Sequence, residues 1–592
     1  MFKKITLTIL FFSAFLMQGQ MRTITGIVSD DSGILPGVTI LEKGTTNGTE
    51  TDFDGKYSIK VAKGAVLVFS FVGMKTVEKK VGDTTTINIT LENDNVLEEV
   101  VVVAYGISQK KFYSTGSVSA IRSNSQVIIG HRDSYAKRNE NIFKRVQSSP
   151  LSTFSIDVDK AAYSNIRRLI NAGNKVPKDA VKIEEMINYF NYDYPQPKGK
   201  HPFSITTDVV ETPWNVKTKL VRIGLKGKEY KQDNLPASNL TFLIDVSGSM
   251  GESNKLPLLK KAFKLLTNQL REKDKVAIVV YAGAAGVVLE PTSGTYKEKI
   301  ITALNNLEAG GSTAGGEGIE LAYKLAEKNF VKNGNNRVIL ATDGDFNVGA
   351  SGNDAMGKLI EEKRKSGVFL SVLGFGYGNY QDDKLEILAD KGNGNHAYID
   401  TMQEAQKVFG KEFGGTLYTI AKDVKIQVEF NPKKVQGYRL IGYENRLLNA
   451  EDFVDDTKDA GELGSGHTVT ALYEVIPVGV KSKYLKNLPK LKYVKNKNQE
   501  KYSEELFTVK FRYKEPSSSV SKEIIQVVKD ETKVASPDMN FVASVALFGM
   551  QLQKSKFKNR SKKKDVLRLA SLGTVNDKEG YRKEFIRLVK AY

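Results

Sequence analysis

The chain has 592 residues, which is too long for a single hydrophobic core, so three or four domains are expected. Its formal net charge of +19 favours anionic partners such as phospholipid surfaces or nucleic acid. The lack of cysteine excludes disulfides, thiol catalysis, cysteine-held zinc and lipid attachment at an N-terminal cysteine, but it is compatible with export.

Residues 1–20 have the pattern of an export signal. Lys3 and Lys4 precede an apolar run, residues 5–17, that is too short to span a bilayer comfortably. An uncleaved N-terminal anchor is the alternative interpretation. We therefore expect a protein exported to the periplasm, the outer membrane or the cell surface, and nucleic acid is not an expected partner.

Residues 22–92 predict a small all-β sandwich, because short alternating apolar runs are separated by turn residues such as Gly55. This stretch resembles the carboxypeptidase regulatory-like domain at the front of many TonB-dependent outer-membrane receptors. Residues 97–106, within a strand and linker over 93–140, resemble the TonB-box region of those receptors. The resemblance implies contact with a TonB-system or outer-membrane component by strand addition, and an inherited tether without that contact is the alternative.

Residues 141–237 begin a further domain, in which residues 154–159 alternate as a strand. Asp157 and Asp159 would share one face of that strand. A helix cap and a turn explain such a pair better than a catalytic pair of carboxylates does. Two helices are also predicted, over residues 161–171 and 179–190.

Residues 238–415 alternate short apolar runs with amphipathic stretches, which is typical of a doubly wound α/β fold on a mainly parallel sheet. The predicted strands are residues 241–244, 276–281, 338–341, 369–375 and 397–399. The predicted helices are residues 255–270, 297–307, 318–330, 354–365 and 383–389. Ligands of such folds bind at the carboxyl ends of the strands.

Oxygen-bearing side chains occur at three places where this fold would bring them together. Asp245, Ser247 and Ser249 form an Asp-x-Ser-x-Ser turn after the first strand, Thr313 follows two glycines, and Asp343 follows another strand. An alternative is that Asp245 caps the next helix while the serines satisfy turn amides.

These five residues, in this order, resemble the metal-ion-dependent adhesion site of von Willebrand factor A (VWA) domains, which have a Rossmann-like fold. The resemblance implies hydroxyl ligands from Ser247, Ser249 and Thr313, with Asp245 and Asp343 acting directly or through water. Hard oxygen ligands favour Mg²⁺, with Mn²⁺ or Ca²⁺ as alternatives. A metal held in this way keeps a position for the Asp or Glu carboxylate of a protein partner.

The stretches on either side of residues 238–415 also resemble parts of a known protein family. Residues 141–211 resemble the N-terminal flank of a bacterial VWA protein family, and residues 416–592 resemble its C-terminal domain of unknown function, β-rich with a helical end. The basic run 554–564 is a solvated face or a contact for anionic lipid.

The sequence favours a non-catalytic, metal-dependent protein-binding module of the cell envelope. An accessory factor of a TonB-linked outer-membrane complex is the alternative. A hydrolase is less favoured, because the histidines form no Ser–His–acid or His-x-x-x-His pattern. The histidines are His131, His201, His396 and His467.

Overall fold

The structure is a computed structural model of the chain. It describes residues 21–30, 33–35, 37–43, 45, 47–52, 55–71, 74–92, 133–311, 315–344, 353–412, 418–485, 502–575 and 577–592. The export signal, the TonB-box-like segment and Thr313 lie outside the described residues. The chain divides into two compact units, residues 1–132 and residues 133–592. Among the described residues, every helix is too short or too polar to cross a bilayer.

The N-terminal unit contains two small sheets around one apolar core. Its strands are β1 (Met21–Asp30), β2 (Gly33–Ile34), β3 (Thr39–Glu42), β4 (Gly48–Glu50), β5 (Lys56–Ala62), β6 (Val66–Ser70), β7 (Val77–Lys80) and β8 (Ile89–Thr90). One sheet has the order β2-β1-β5, with β8 also paired to β1, and the other has the order β4-β3-β6-β7. Alternate residues of both sheets, such as Ile24 and Phe69, are buried in the core, which confirms the predicted all-β unit.

The second unit has three segments in chain order. The first contains β9 (Lys144–Arg145), β10 (Leu151–Ser155), α1 (Ala161–Asn171), α2 (Ile183–Asn188), β11 (Phe203–Thr212) and β12 (Asn215–Gly227). The second contains β13 (Ser238–Asp245), α3 (Leu256–Gln269), β14 (Lys275–Tyr281), β15 (Ala285–Ser293), α4 (Lys297–Asn305), α5 (Gly315–Lys328), β16 (Asn335–Thr342), α6 (Asn353–Lys363), β17 (Phe369–Phe375), α7 (Asp382–Lys391), β18 (His396–Ile399) and α8 (Met402–Ala405). The third contains β19 (Thr419–Phe430), β20 (Val435–Ile441), β21 (Leu447–Leu448), β22 (Gly461–Gly464), β23 (Thr468–Pro477), β24 (Glu505–Lys514), β25 (Ser521–Lys529), α9 (Pro537–Leu552), α10 (Lys563–Leu572) and α11 (Tyr581–Ala591).

The central segment is a doubly wound α/β domain, as predicted. Its sheet has the order β15-β14-β13-β16-β17-β18 and is parallel except for β15, an antiparallel edge strand that the sequence pattern did not predict. Phe242 packs towards α3 and α4, whereas its neighbour Leu243 packs towards α5 and α7. Every residue of β13 is buried because helices cover both faces of the sheet, and this explains its continuous apolar run.

The strand order reverses at β13. The chain leaves β13 for β14 on one side of it and later returns to β16 on the other side. The carboxyl ends of these three strands therefore lie together at a topological switch point, where doubly wound folds bind their ligands.

The first and third segments form a β-sandwich with shared sheets. One sheet has the order β11-β12-β23-β20-β9 and the other β21-β10-β19-β24-β25, with β22 also on β19. Phe154 and Val221 from the first segment pack with Phe430 and Tyr473 from the third. The domain boundaries predicted at 141–237 and 416–592 stay predictions. In the structure, each of the two sheets contains strands from both stretches. The helical end predicted for the chain corresponds to α9, α10 and α11.

The helix predicted over 179–190 is wrong in extent. The chain instead forms one 3₁₀ turn, Lys178–Ala180, followed by the short helix α2. Val181 and Lys182 between them have extended backbones, with ψ of 106° and 102°. A buried apolar pattern alone did not distinguish this interruption from a continuous helix.

Arg446 joins all three segments of the second unit. Its guanidinium lies 3.1 Å from Asp157, 3.2 Å from Asp159, 3.6 Å from Glu386 and 2.6 Å from Asp390. The expected helix cap is therefore wrong, since the strand ends at Ser155 and no aspartate side chain caps α1. Burial raises the pKa of Asp390 to about 7, while Arg446 opposes that shift.

Candidate metal centre

Asp245 is the last residue of β13 and is fully buried. Its Oδ1 accepts a hydrogen bond from the Ser247 amide at 2.9 Å. Its Oδ2 accepts hydrogen bonds from the Thr342 hydroxyl at 3.1 Å and the Tyr281 hydroxyl at 3.2 Å. Burial raises the pKa of Asp245, and the hydrogen bonds from Ser247 act in the opposite direction. These donors fix the carboxylate at the carboxyl edge of the sheet.

The two serines lie next to this carboxylate. Ser247 Oγ and Ser249 Oγ are 3.1 Å apart, and Ser247 is buried while Ser249 is exposed. The alternative interpretation had Asp245 as a helix cap, but helix α3 begins beyond Lys255 and does not use Asp245 as its cap; Asp245 accepts from a turn amide instead. The hydroxyls thus line the open side of a fixed carboxylate.

A glycine-rich loop is hydrogen-bonded to the serine turn. The Gly248 amide donates to Gly311 O at 3.1 Å, and the Gly310 amide donates to Val246 O at 2.7 Å. Gly311 has a φ of +82°, which favours glycine at that position. Gly310 and Gly311 therefore lie beside the serine turn, and Thr313, two residues later in the sequence, is outside the described residues.

Asp343 directly follows β16 and is buried at the same edge. Its charge contributes to the raised pKa of Asp245, as expected for two carboxylates at the same edge of the sheet. The Lys255 ammonium lies 3.2 Å from Asp343 Oδ2. The structure thus brings together Asp245, Ser247, Ser249 and Asp343.

Three residues at this edge were not singled out from the sequence: Tyr281, Thr342 and Lys255. Tyr281 is the register partner of Asp245 in the neighbouring strand, and Thr342 immediately precedes Asp343. Both positions could have been found by aligning the ends of the predicted parallel strands. Lys255 offered no comparable signal, because lysine at the start of a helix is ordinarily exposed.

The residues at this edge fit a hard divalent cation. The side chains that converge there offer carboxylate and hydroxyl oxygens, the donors that Mg²⁺, Mn²⁺ and Ca²⁺ prefer. A cationic group, the Lys255 ammonium, contacts Asp343, as expected where the local charge is negative.

A second group of carboxylates has a different character. Oxygens of Asp159, Glu185 and Glu386 lie within 4.8 Å of one another. The Lys182 ammonium lies 3.0 Å from Glu185 and 3.0 Å from Glu386, and Arg446 lies 3.2 Å from Asp159, so cationic side chains already pair with this group. We interpret it as part of the ion-pair network around Arg446.

The histidines in the described part of the chain lie in other environments. His396 Nε2 is 3.0 Å from the Tyr380 hydroxyl, and burial lowers the pKa of His396 to about 4. Burial also lowers the pKa of His467 to about 3, and His201 contacts Tyr513. His396 is thus a neutral, buried imidazole, which is typical of a packing residue, whereas His201 and His467 are half-buried.

Four models of known protein families match this chain. The von Willebrand factor type A domain matches residues 239–411, and a von Willebrand factor model matches residues 129–222. The CarboxypepD_reg-like domain matches residues 24–103. The model described as the C-terminal part of the uncharacterized protein YfbK matches residues 415–592.

Individual proteins are also similar to this chain. TonB-dependent receptor P26 of Formosa agariphila is 50% identical over 100 residues, which is 17% of this chain and 10% of the receptor. A solved von Willebrand factor type A protein from Catenulispora acidiphila is 16% identical, covering 65% of this chain and 90% of its own, with a TM-score of 0.39. The uncharacterized protein YfbK of Escherichia coli K12 is 42% identical over 465 residues, which is 77% of this chain and 80% of YfbK. The chain therefore belongs to the YfbK family of von Willebrand factor A domain proteins.

Proposed function

We propose that this protein is a non-catalytic protein-binding component of the cell envelope that recognises an acidic partner through a divalent cation. Asp245, Ser247, Ser249, Thr313 and Asp343 would hold the cation, with Mg²⁺ favoured and Mn²⁺ or Ca²⁺ as alternatives. When bound, the cation supplies a Lewis-acidic position for an Asp or Glu carboxylate of the partner protein. The envelope location rests on the signal-like residues 1–20 and on the TonB-dependent receptor relatives.

One observation carries the proposal. Four of the five residues that the sequence pattern selected, from two separate loops, meet at the switch point of the sheet. A carboxylate that only capped a helix would not need a second carboxylate and two converging hydroxyls beside it. Placing two negative groups in a buried site is unfavourable unless positive charge offsets them, and the single charge of Lys255 offsets only one of the two.

The chain's own residues prepare the site. Thr342 and Tyr281 donate to one oxygen of Asp245, so its orientation is set before any ligand arrives. Exposed Ser249 lies on the solvent side, where a partner's side chain can reach. The site is thus rigid on the sheet side and open on the other.

The test is isothermal titration of Mg²⁺ into the full chain and into Asp245→Ala. We expect saturable binding by the wild type and loss of that binding in Asp245→Ala. Asp233→Ala, which removes an exposed carboxylate before β13, is the matched control and should bind as the wild type does. Equal Mg²⁺ binding by the wild type and Asp245→Ala would disprove the proposal.

A second experiment addresses the partner. Asp343→Ala and the wild type are used to capture proteins from envelope extract with Mg²⁺, followed by release with EDTA. A metal-dependent partner should be retained by the wild type alone. Partners that both proteins retain in the presence of EDTA would contradict recognition through the cation.

A second candidate function is that of accessory factor to a TonB-linked outer-membrane complex. It is favoured by the identity of the N-terminal region to TonB-dependent receptors. Capture by the full chain is compared with capture by a chain lacking residues 22–106. Loss of outer-membrane partners on deletion supports this function, and an unchanged set of partners argues against it.

A further inference from the structure

Lys255 enters the candidate metal centre from the start of helix α3. Its side chain is only 7% exposed, although the helix lies at the protein surface. Its ammonium donates to Ser249 O at 3.0 Å and lies 3.2 Å from Asp343 Oδ2. One lysine therefore contacts the serine turn and the second carboxylate at the same time.

The path of this side chain is fixed by packing. Gly376 has a φ of +80°, and a Cβ at that position would lie 2.4 Å from Lys255 Cε. Only glycine leaves room there for the lysine stem. Among the described residues, the other acidic neighbour in contact is Glu252, which is 3.6 Å away and 65% exposed, so Asp343 is the main buried partner there. The ammonium is thus guided to Asp343 and has little freedom to turn towards solvent.

The charges at the centre show what the lysine does. Asp245 and Asp343 carry two negative charges and Lys255 carries one positive charge, which leaves a net charge of −1. A divalent cation would change this to +1, whereas without the lysine it would give zero. While it stays beside Asp343, the lysine therefore opposes the cation, and an anionic partner would offset the excess positive charge.

We propose that Lys255 is a built-in competitor for the divalent cation, which weakens metal binding and is displaced from Asp343 when the metal binds. The inference rests on the proposed function and adds its regulation. It predicts a centre that is filled poorly by metal alone and more completely when metal and a carboxylate arrive together, because each ligand favours the other.

The first test compares Mg²⁺ and Mn²⁺ titrations of wild type, Lys255→Gln and Lys261→Gln. Glutamine keeps a donor for Ser249 O and removes the charge, so it separates electrostatics from loop support. Lys255→Gln should bind the metal at least ~tenfold more tightly, since the lost repulsion acts at contact distance in a buried site. Lys261 is exposed on the same helix, so Lys261→Gln should differ from the wild type by less than about twofold.

The second test follows the lysine itself. Amine acylation with peptide mass spectrometry measures the reactivity of Lys255 with and without Mg²⁺, with Lys261 as the internal reference. Displacement from Asp343 should raise the reactivity of Lys255 when Mg²⁺ binds and leave that of Lys261 unchanged.

The two hypotheses fail in different ways. If wild type binds Mg²⁺ and Asp245→Ala does not, the proposed function stands. Unchanged or weaker metal binding by Lys255→Gln would then overturn the competitor role alone, as would unchanged reactivity of Lys255. Equal binding by wild type and Asp245→Ala would remove both.

Discussion

Replacing Thr342 with valine tests how the Asp245 carboxylate is held. Valine has the shape of threonine without its hydroxyl, and Thr342 is fully buried. The hydroxyl donates to Asp245 Oδ2 at 3.1 Å and accepts from the Gly344 amide at 3.2 Å. Thr342→Val therefore removes a hydrogen bond to a carboxylate and leaves a turn amide unpaired.

The expected effect follows from these contacts. A hydrogen bond to a charged group contributes about 1.5–3 kcal/mol, so we expect a local loss of about 2 kcal/mol. This corresponds to a roughly 30-fold increase in the open population of the strand ends. Loss of a residue that orients a ligand typically weakens metal binding by about 10–100-fold, and we expect this for Mg²⁺.

The assay is hydrogen exchange of the β13 and β16 amides, measured by mass spectrometry, together with Mg²⁺ titration. Thr241→Val is the matched control, because Thr241 is buried in β13, the strand that ends at Asp245, and its hydroxyl has no hydrogen-bond partner among the described residues. That variant should exchange as slowly as the wild type, or more slowly. Equal acceleration in both variants, or unchanged exchange and metal binding in Thr342→Val, would refute the role given to this hydroxyl.

Three further predictions follow from the second unit. Arg446→Met should destabilise the second unit by about 3–5 kcal/mol in chemical denaturation, because four carboxylates lose their shared partner. The control Arg512→Met, at a partly exposed ion pair, should change the stability by less than about 1 kcal/mol, and equal effects of the two variants would contradict this prediction. Gly344→Ala should lower the free energy of unfolding by about 2–4 kcal/mol in the same measurement, since Gly344 has a φ of +99° and a Cβ there would lie 2.7 Å from a backbone nitrogen. The control Gly378→Ala, with open space around a φ of +89°, should lower it by about 1 kcal/mol. Burial raises the pKa of Glu462 from 4.5 to about 7. The stability that the protonated side chain contributes is therefore complete below about pH 4.5 and is lost as the pH rises through about 7. Between about pH 5 and about pH 8, Glu462→Gln should lose less thermal stability than the wild type, and parallel stability profiles would refute this prediction.

The sequence by itself determined the fold class and most elements of the central domain. Strands buried on both faces are apolar throughout, and the amphipathic stretches between them carry a helical period, so local pattern and tertiary environment agree. The prediction over 369–375 matches Phe369–Phe375, and that over 161–171 matches Ala161–Asn171. Asp245, Ser247, Ser249 and Asp343 could be selected because the ends of parallel strands must meet at one edge.

Other features depended on contacts between residues distant in the chain. Asp157 and Asp159 looked like a cap or a turn, yet they contact Arg446, which lies almost 300 residues later. Strands on both sides of the central domain complete each other's sheets, which no local pattern records. The sequence placed Lys255 at the start of a predicted helix, but the space left by Gly376 and the buried Asp343, which lead its ammonium into the centre, are visible only in the tertiary structure. The candidate metal ligands could be selected from side-chain type and spacing, whereas only the tertiary structure shows that the Lys255 ammonium lies beside them.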